Sequence, residues 1–133
     1  MIVKHYGESV EVLQSRVLYR PVDYERSVAF YRDVLGLHIY REWATGTVFF
    51  LGGGLLELSR SADPVTDDKL SLWLQVRDVD AEFARLNSAG VTVVEAPVDE
   101  PWGLREARVR DPDGLMLVLV EIPPDHPMRR GRD

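Results

Sequence analysis

Cysteine is absent from this chain of 133 residues. That excludes disulfides and thiolate metal sites and fits a cytoplasmic location. Also missing is any apolar run approaching the roughly 20 residues that span a bilayer, so a membrane partner is not expected. The opening MIVKHYGESVEV has no apolar core between basic residues and a small-residue cleavage site, and is expected not to act as a secretory signal. Positive charge is in deficit: 16 Lys and Arg stand against 22 Asp and Glu, a net charge of −6. No nucleic-acid partner is expected, because affinity for phosphates comes from cations that release counterions. Histidine is scarce as well. His5 falls in the N-terminal stretch, His38 at the start of an outer strand and His126 in a proline-rich tail, so each reads as a solvated or structural residue rather than a ligand.

What the chain does have is enough apolar sequence, 45% of residues, for one core. Two segments carry helical periodicity. In the first, Asp23 is a candidate N-cap, Tyr24, Val28, Tyr31 and Leu35 form the stripe, and Gly36 supplies the stop. In the second, Asp78 or Asp80 caps, Val79, Phe83 and Leu86 form the stripe, and Gly90 ends it. The caps are 55 residues apart and the stops 54, a near-constant offset that points to an internal duplication. Strands are expected around each helix, at 15–21, 38–43, 47–51 and 55–60, then at 70–76, 91–96, 105–110 and 115–122. The fold class is therefore α+β, with a βαβββ module at 14–60, a linker at 61–69, a second βαβββ module at 70–122 and a flexible tail at 123–133. Residues 1–13 are a candidate added strand that covers or swaps onto a sheet edge.

Period-two alternation sorts the side chains of each strand into two faces. Leu70, Leu72, Leu74 and Val76 share an apolar face suited to the core, while Ser71, Trp73 and Gln75 are free to line a cavity. Arg16, Leu18 and Arg20 share one face of the first strand, and Glu57 shares its face with Leu55 and Ser59. Asp111-Pro112-Asp113-Gly114 is a tight hairpin turn, with Pro presetting one dihedral and Gly accepting positive φ.

Three motifs, PVDYERSVAFYRDVLGL at 21–37, VRDVDAEFARLNSAGV at 76–91 and EPWGLREARVRDPDGLMLVLVE at 100–121, resemble the vicinal oxygen chelate superfamily, which includes glyoxalase I, extradiol dioxygenases and the bleomycin resistance proteins. The resemblance implies two βαβββ modules with curled mixed sheets around a cavity, in a homodimer with exchange of modules or strands. It also implies, for the enzymes, a divalent metal held by four side chains that chelates adjacent substrate oxygens. Those positions fall here on Arg16, Glu57, Ser71 and Val118. Arginine is always protonated and offers no lone pair, serine is a poor ligand and valine is none, so only Glu57 survives.

No metal or other cofactor is therefore expected. Glu57 has Arg16 as its first candidate partner, with water or a ligand as the alternative and a metal in the enzyme reading only. The stretch Glu100-Pro101-Trp102-Gly103-Leu104-Arg105-Glu106 resembles part of the bleomycin resistance proteins, which sequester a drug and leave it unchanged. This similarity implies a small-molecule ligand, aromatic or anionic, held by Arg16, Leu18, Phe49, Glu57, Trp73, Gln75, Trp102, Arg108, Met116 and Val118. The alternatives are a metal-dependent lyase, isomerase or dioxygenase of the same superfamily, an acid-base catalyst using Glu57 without metal, and a module whose cavity is filled by its own side chains.

Overall fold

The computed structural model describes residue 11 and residues 13–60 and 70–130; the expected linker at 61–69, most of the N-terminal stretch with His5, and residues 131–133 lie outside them. The first module runs from Arg16–Tyr19 (β1) through a helix, Tyr24–Ala29 (α1), to Ile39–Trp43 (β2), Gly46–Leu51 (β3) and Gly54–Ser59 (β4). The second runs from Ser71–Gln75 (β5) through Val79–Ser88 (α2) to Thr92–Asp99 (β6), Arg105–Arg110 (β7) and Met116–Glu121 (β8), with a short helix, Pro127–Arg130 (α3), after it.

Both helices start where carboxylates can cap them. The Arg26 N–H donates to Asp23 Oδ1 at 3.1 Å, and the Ala81 N–H donates to Asp78 Oδ1 at 3.1 Å. Asp80, the other candidate cap, instead accepts from Arg105. Both helices stop at a glycine with positive φ, Gly36 at 73° and Gly90 at 84°. In the first module the stop follows a π-helical turn, Phe30–Val34, closed by the Leu35 N–H on the Phe30 carbonyl at 2.9 Å.

Each module forms one mixed four-stranded sheet, with orders β1-β4-β3-β2 and β5-β8-β7-β6. β1 runs parallel to β4 and β5 parallel to β8, and the remaining pairs are antiparallel. β6 is longer than the sequence suggests, reaching Asp99, because it bulges between Val93 and Glu95 and again between Glu95 and Val98.

One core joins the modules. Val28 from α1, Tyr31 from the π-helical turn that follows it, Leu86 and Val79 from α2, and the helix-facing sides of both sheets, including Phe49, Leu56, Leu58, Leu117, Leu119 and Val109, belong to a single buried cluster. The opposite faces of the two sheets, distal to the helices, carry Arg16, Leu18 and Glu57 on the first and Trp73, Gln75, Arg108, Met116 and Val118 on the second.

Candidate functional site

On the first sheet, β1 and β4 in parallel register place Leu18 opposite Glu57, and β3 places Val48 there from the other side. Arg16, on the same face as Leu18, reaches back across the strand pair: its Nη1 donates to Glu57 Oε1 at 2.7 Å. Ser59 Oγ donates to Glu57 Oε2 at 3.4 Å, and Arg16 also donates to Gln14 Oε1 at 3.0 and 3.1 Å. The pair is half-buried, with 27% and 17% of the side chains exposed, and Val48 and Leu55 beside it are buried.

Phe49 does not belong to this site. It opposes Leu56, on the helix-facing side, and stacks tilted on Tyr31 with ring centroids 6.1 Å apart, wholly buried. The reason is the hairpin: Leu51 pairs with Gly54 across a two-residue turn, so the residue opposite Glu57 has to be Val48. The aromatic on the helix-distal face is Phe50, half exposed, whose ring meets Tyr40 edge-on at 5.1 Å. Counting residues across the turn at Gly52-Gly53 would have found it.

On the second sheet, Trp73, Val118, Arg108 and Glu95 form one row across β5, β8, β7 and β6, flanked by Met116 and Gln75. Trp73 and Gln75 are exposed, and Val118 packs partly buried against Leu104, Val120 and Ile122. Arg108 is surrounded by carboxylates, bonding Glu106 at 2.8 Å, Glu95 at 3.1 Å and Glu100 at 3.3 Å. Trp102 caps this network: its indole N–H donates to Glu106 Oε2 at 2.7 Å while its ring stays exposed. His126 in turn bonds the Trp102 carbonyl at 3.0 Å, tying the segment after β8 to the Trp102 turn.

This arrangement narrows the expected ligand. Arg16 is neutralised by Glu57, and Arg108 is outnumbered by its carboxylates, so the two arginines expected to attract an anion are both occupied. The exposed rings of Trp73 and Trp102 remain for stacking.

The donor set does not fit a divalent metal. Arg16 and Val118 have no lone pair to offer, Ser71 is a neutral hydroxyl, and the one carboxylate, Glu57, already accepts from Arg16 and Ser59. Among the described residues, acidic side chains gather close enough for an ion only at Asp78, Asp80 and Glu121. Each is engaged at the start of α2: Asp78 accepts from Ala81, Asp80 from Arg105, and Glu121 from the Val79 N–H at 2.9 Å.

The Asp111–Gly114 turn does more than reverse the chain. Tyr31 O–H donates to Asp111 Oδ2 and Tyr19 O–H to Asp113 Oδ2, both at 2.8 Å, so the second module is bonded to the first. Asp113 further accepts from the Val22 N–H at 2.9 Å and pairs with Arg26 at 3.0 Å. Burial raises the Asp111 carboxyl above its ordinary value, against the lowering effect of its hydrogen bonds from Leu115, Tyr31 and Asp113. Burial and the nearby carboxylates push the Tyr19 and Tyr31 phenols up as well.

No helix among the described residues is long and apolar enough to cross a membrane. The family model of the Glyoxalase/Bleomycin resistance protein/Dioxygenase superfamily matches residues 14–119. The uncharacterized protein YraH of Bacillus subtilis (strain 168) is 31% identical, an alignment covering 85% of this chain and 99% of that one. Among solved structures, TioX from Micromonospora sp. ML1 is 27% identical with a TM-score of 0.70, covering 83% of this chain and 98% of its own. Lactoylglutathione lyase from Agrobacterium tumefaciens shares the fold at 21% identity and a TM-score of 0.66, covering 86% of this chain and 96% of its own. A two-module sheet arrangement, a family match across both modules and a relative aligned over nearly its full length agree: the chain belongs to the Glyoxalase/Bleomycin resistance protein/Dioxygenase superfamily.

Proposed function

We propose that this chain is a metal-independent small-molecule-binding protein of its superfamily, acting by sequestration of a drug-like aromatic compound rather than by turnover. The observation that carries this reading is the Arg16–Glu57 ion pair at 2.7 Å, in which an arginine stands at one metal-ligand position and occupies the carboxylate at another. A cation entering beside Arg16 would meet charge repulsion and find no second strong donor. The ligand surface is the helix-distal face, where Trp73 and Trp102 supply rings, Leu18, Met116 and Val118 supply apolar area, and Gln75 supplies a polar group that orients the guest. The carboxylates around Arg108 favour a neutral or cationic aromatic over an anion.

A homodimer is part of this proposal. Among the described strands β1 and β5 are each at the edge of a sheet, and Leu18 and Trp73 are exposed beside those edges. Sedimentation at micromolar concentration is expected to give twice the chain mass.

Thermal-shift measurements with bleomycin and with planar cationic dyes test the binding reading, because a ligand selective for the folded state raises the midpoint. A rise that Trp102→Ala abolishes supports it. Elemental analysis that finds about one tightly held divalent ion per chain overturns it in favour of the metal-dependent enzyme reading.

A further inference from the structure

The duplication makes the two modules meet through two equivalent junctions, and the structure closes only one of them. Leu18 opposes Glu57 as Trp73 opposes Val118, so Tyr19 corresponds to Leu74 and Tyr31 to Leu86. Val48 opposes Glu57 as Arg108 opposes Val118, so Leu51 corresponds to Asp111 and Gly53 to Asp113. At the first junction, two tyrosine hydroxyls meet two aspartates at 2.8 Å each. At the second, the same four places hold Leu74, Leu86, Leu51 and Gly53, which have neither polar groups nor reach to close the gap.

What remains there is a half-open cleft of 670 Å³ between the modules. Its volume is in the range of about 300 to 1,000 Å³ typical of small-molecule sites. Leu37, Leu51, Leu74 and Leu86 give it an apolar lining, and Arg77, Arg85 and Glu82 lie at its border, two cations against one carboxylate. Arg85 is engaged, donating to the Val34 carbonyl at 2.6 Å and pairing with Glu82 at 3.5 Å. Arg77 has no hydrogen-bond or ion-pair partner among the described residues.

We propose that this inter-module cleft is a second binding site, distinct from the helix-distal face, and that it takes a small apolar carboxylate. The hydrocarbon part lies against the leucines and the carboxylate meets the Arg77 guanidinium, whose planar fork matches it bidentately. The proposal does not depend on the sequestration reading, since Leu37, Leu51, Leu86 and Arg77 take no part in that surface. Trp73 and Gln75 border both regions, so tryptophan fluorescence does not discriminate between them.

Methyl NMR of the full-length chain titrated with octanoate separates the cases. Saturable shifts at Leu37, Leu74 and Leu86 are expected. Arg77→Gln, an exposed change that leaves the core intact, is expected to weaken octanoate about fivefold, the scale of one partly exposed charge pair. Gly53→Asp is expected to weaken it too, because a side chain there enters open space beside the cleft and adds a negative charge. Octanamide is expected to bind more weakly and to be indifferent to both substitutions. Unshifted methyls, shifts confined to Leu18 and Val118, or equal octanoate affinity in Arg77→Gln and the parent chain would overturn the proposal.

Discussion

Arg16 and Glu57 are 41 residues apart in sequence, yet their side chains meet at 2.7 Å on the helix-distal face of the first sheet. The parallel β1–β4 register brings them together, with Arg16 opposite Leu55 and Leu18 opposite Glu57. A carboxylate flanked by buried Val48 and Leu55 is thereby satisfied by the chain itself.

Glu57→Gln tests this pair. The arginine keeps its bonds to Gln14, and both partners retain some contact with water, so the loss is expected to be about 1 kcal/mol rather than the larger penalty of an orphaned buried charge. Urea denaturation measures it, and the double variant Arg16→Gln/Glu57→Gln is expected to recover part of the loss. An unchanged midpoint in Glu57→Gln would mean that the pair contributes nothing to folding.

Tyr31→Phe addresses the closed junction. Tyr31 is fully buried, and removing its hydroxyl leaves Asp111 Oδ2 without that donor in a desolvated place. The expected cost is about 1 to 3 kcal/mol. The same change at exposed Tyr40, whose ring meets Phe50 and whose hydroxyl has no partner among the described residues, is expected to cost much less.

The pH dependence follows from Asp111, whose folded-state affinity for protons exceeds its ordinary value of 3.8 because burial disfavours the charge. A carboxyl raised in the fold contributes stability that is fully present below pH 3.8 and is lost as pH rises through its folded value. Exposed carboxylates such as Asp80, lowered chiefly by its hydrogen bonds from Arg105, act in the opposite sense as pH falls. Comparison with Asp111→Asn isolates the single group: the parent is expected to gain stability relative to the variant on acidification from neutral pH to pH 4. The amide can still accept from the Asp113 and Leu115 N–H groups and donate to Tyr31, so the variant is expected to fold. A constant difference across that range would contradict the assignment.

Much of the architecture is legible in the residues. Asp23 and Asp78 announce helix starts because a short carboxylate beside free backbone N–H groups has a local use, and Gly36 and Gly90 announce stops because they take up positive φ. The duplication shows in the spacing of those signals. The failure at Phe49 comes from treating each strand's alternation separately, when the face of β3 is set by how many residues the Gly52-Gly53 turn consumes. The surroundings of Arg108 are hidden for a similar reason: Glu95 and Glu100 reach it from a neighbouring strand and loop, which linear order does not reveal.

By itself the sequence determined the two modules, their helices and the donor atoms that Arg16, Ser71 and Val118 present, because caps, periodicity and donor atoms are properties of residues and their near neighbours. Only the tertiary structure decided that Asp111 and Asp113 bind the modules together while Leu51 and Gly53 leave a cleft. Those roles depend on which side chain stands across a junction, and that partner is set by packing between distant segments.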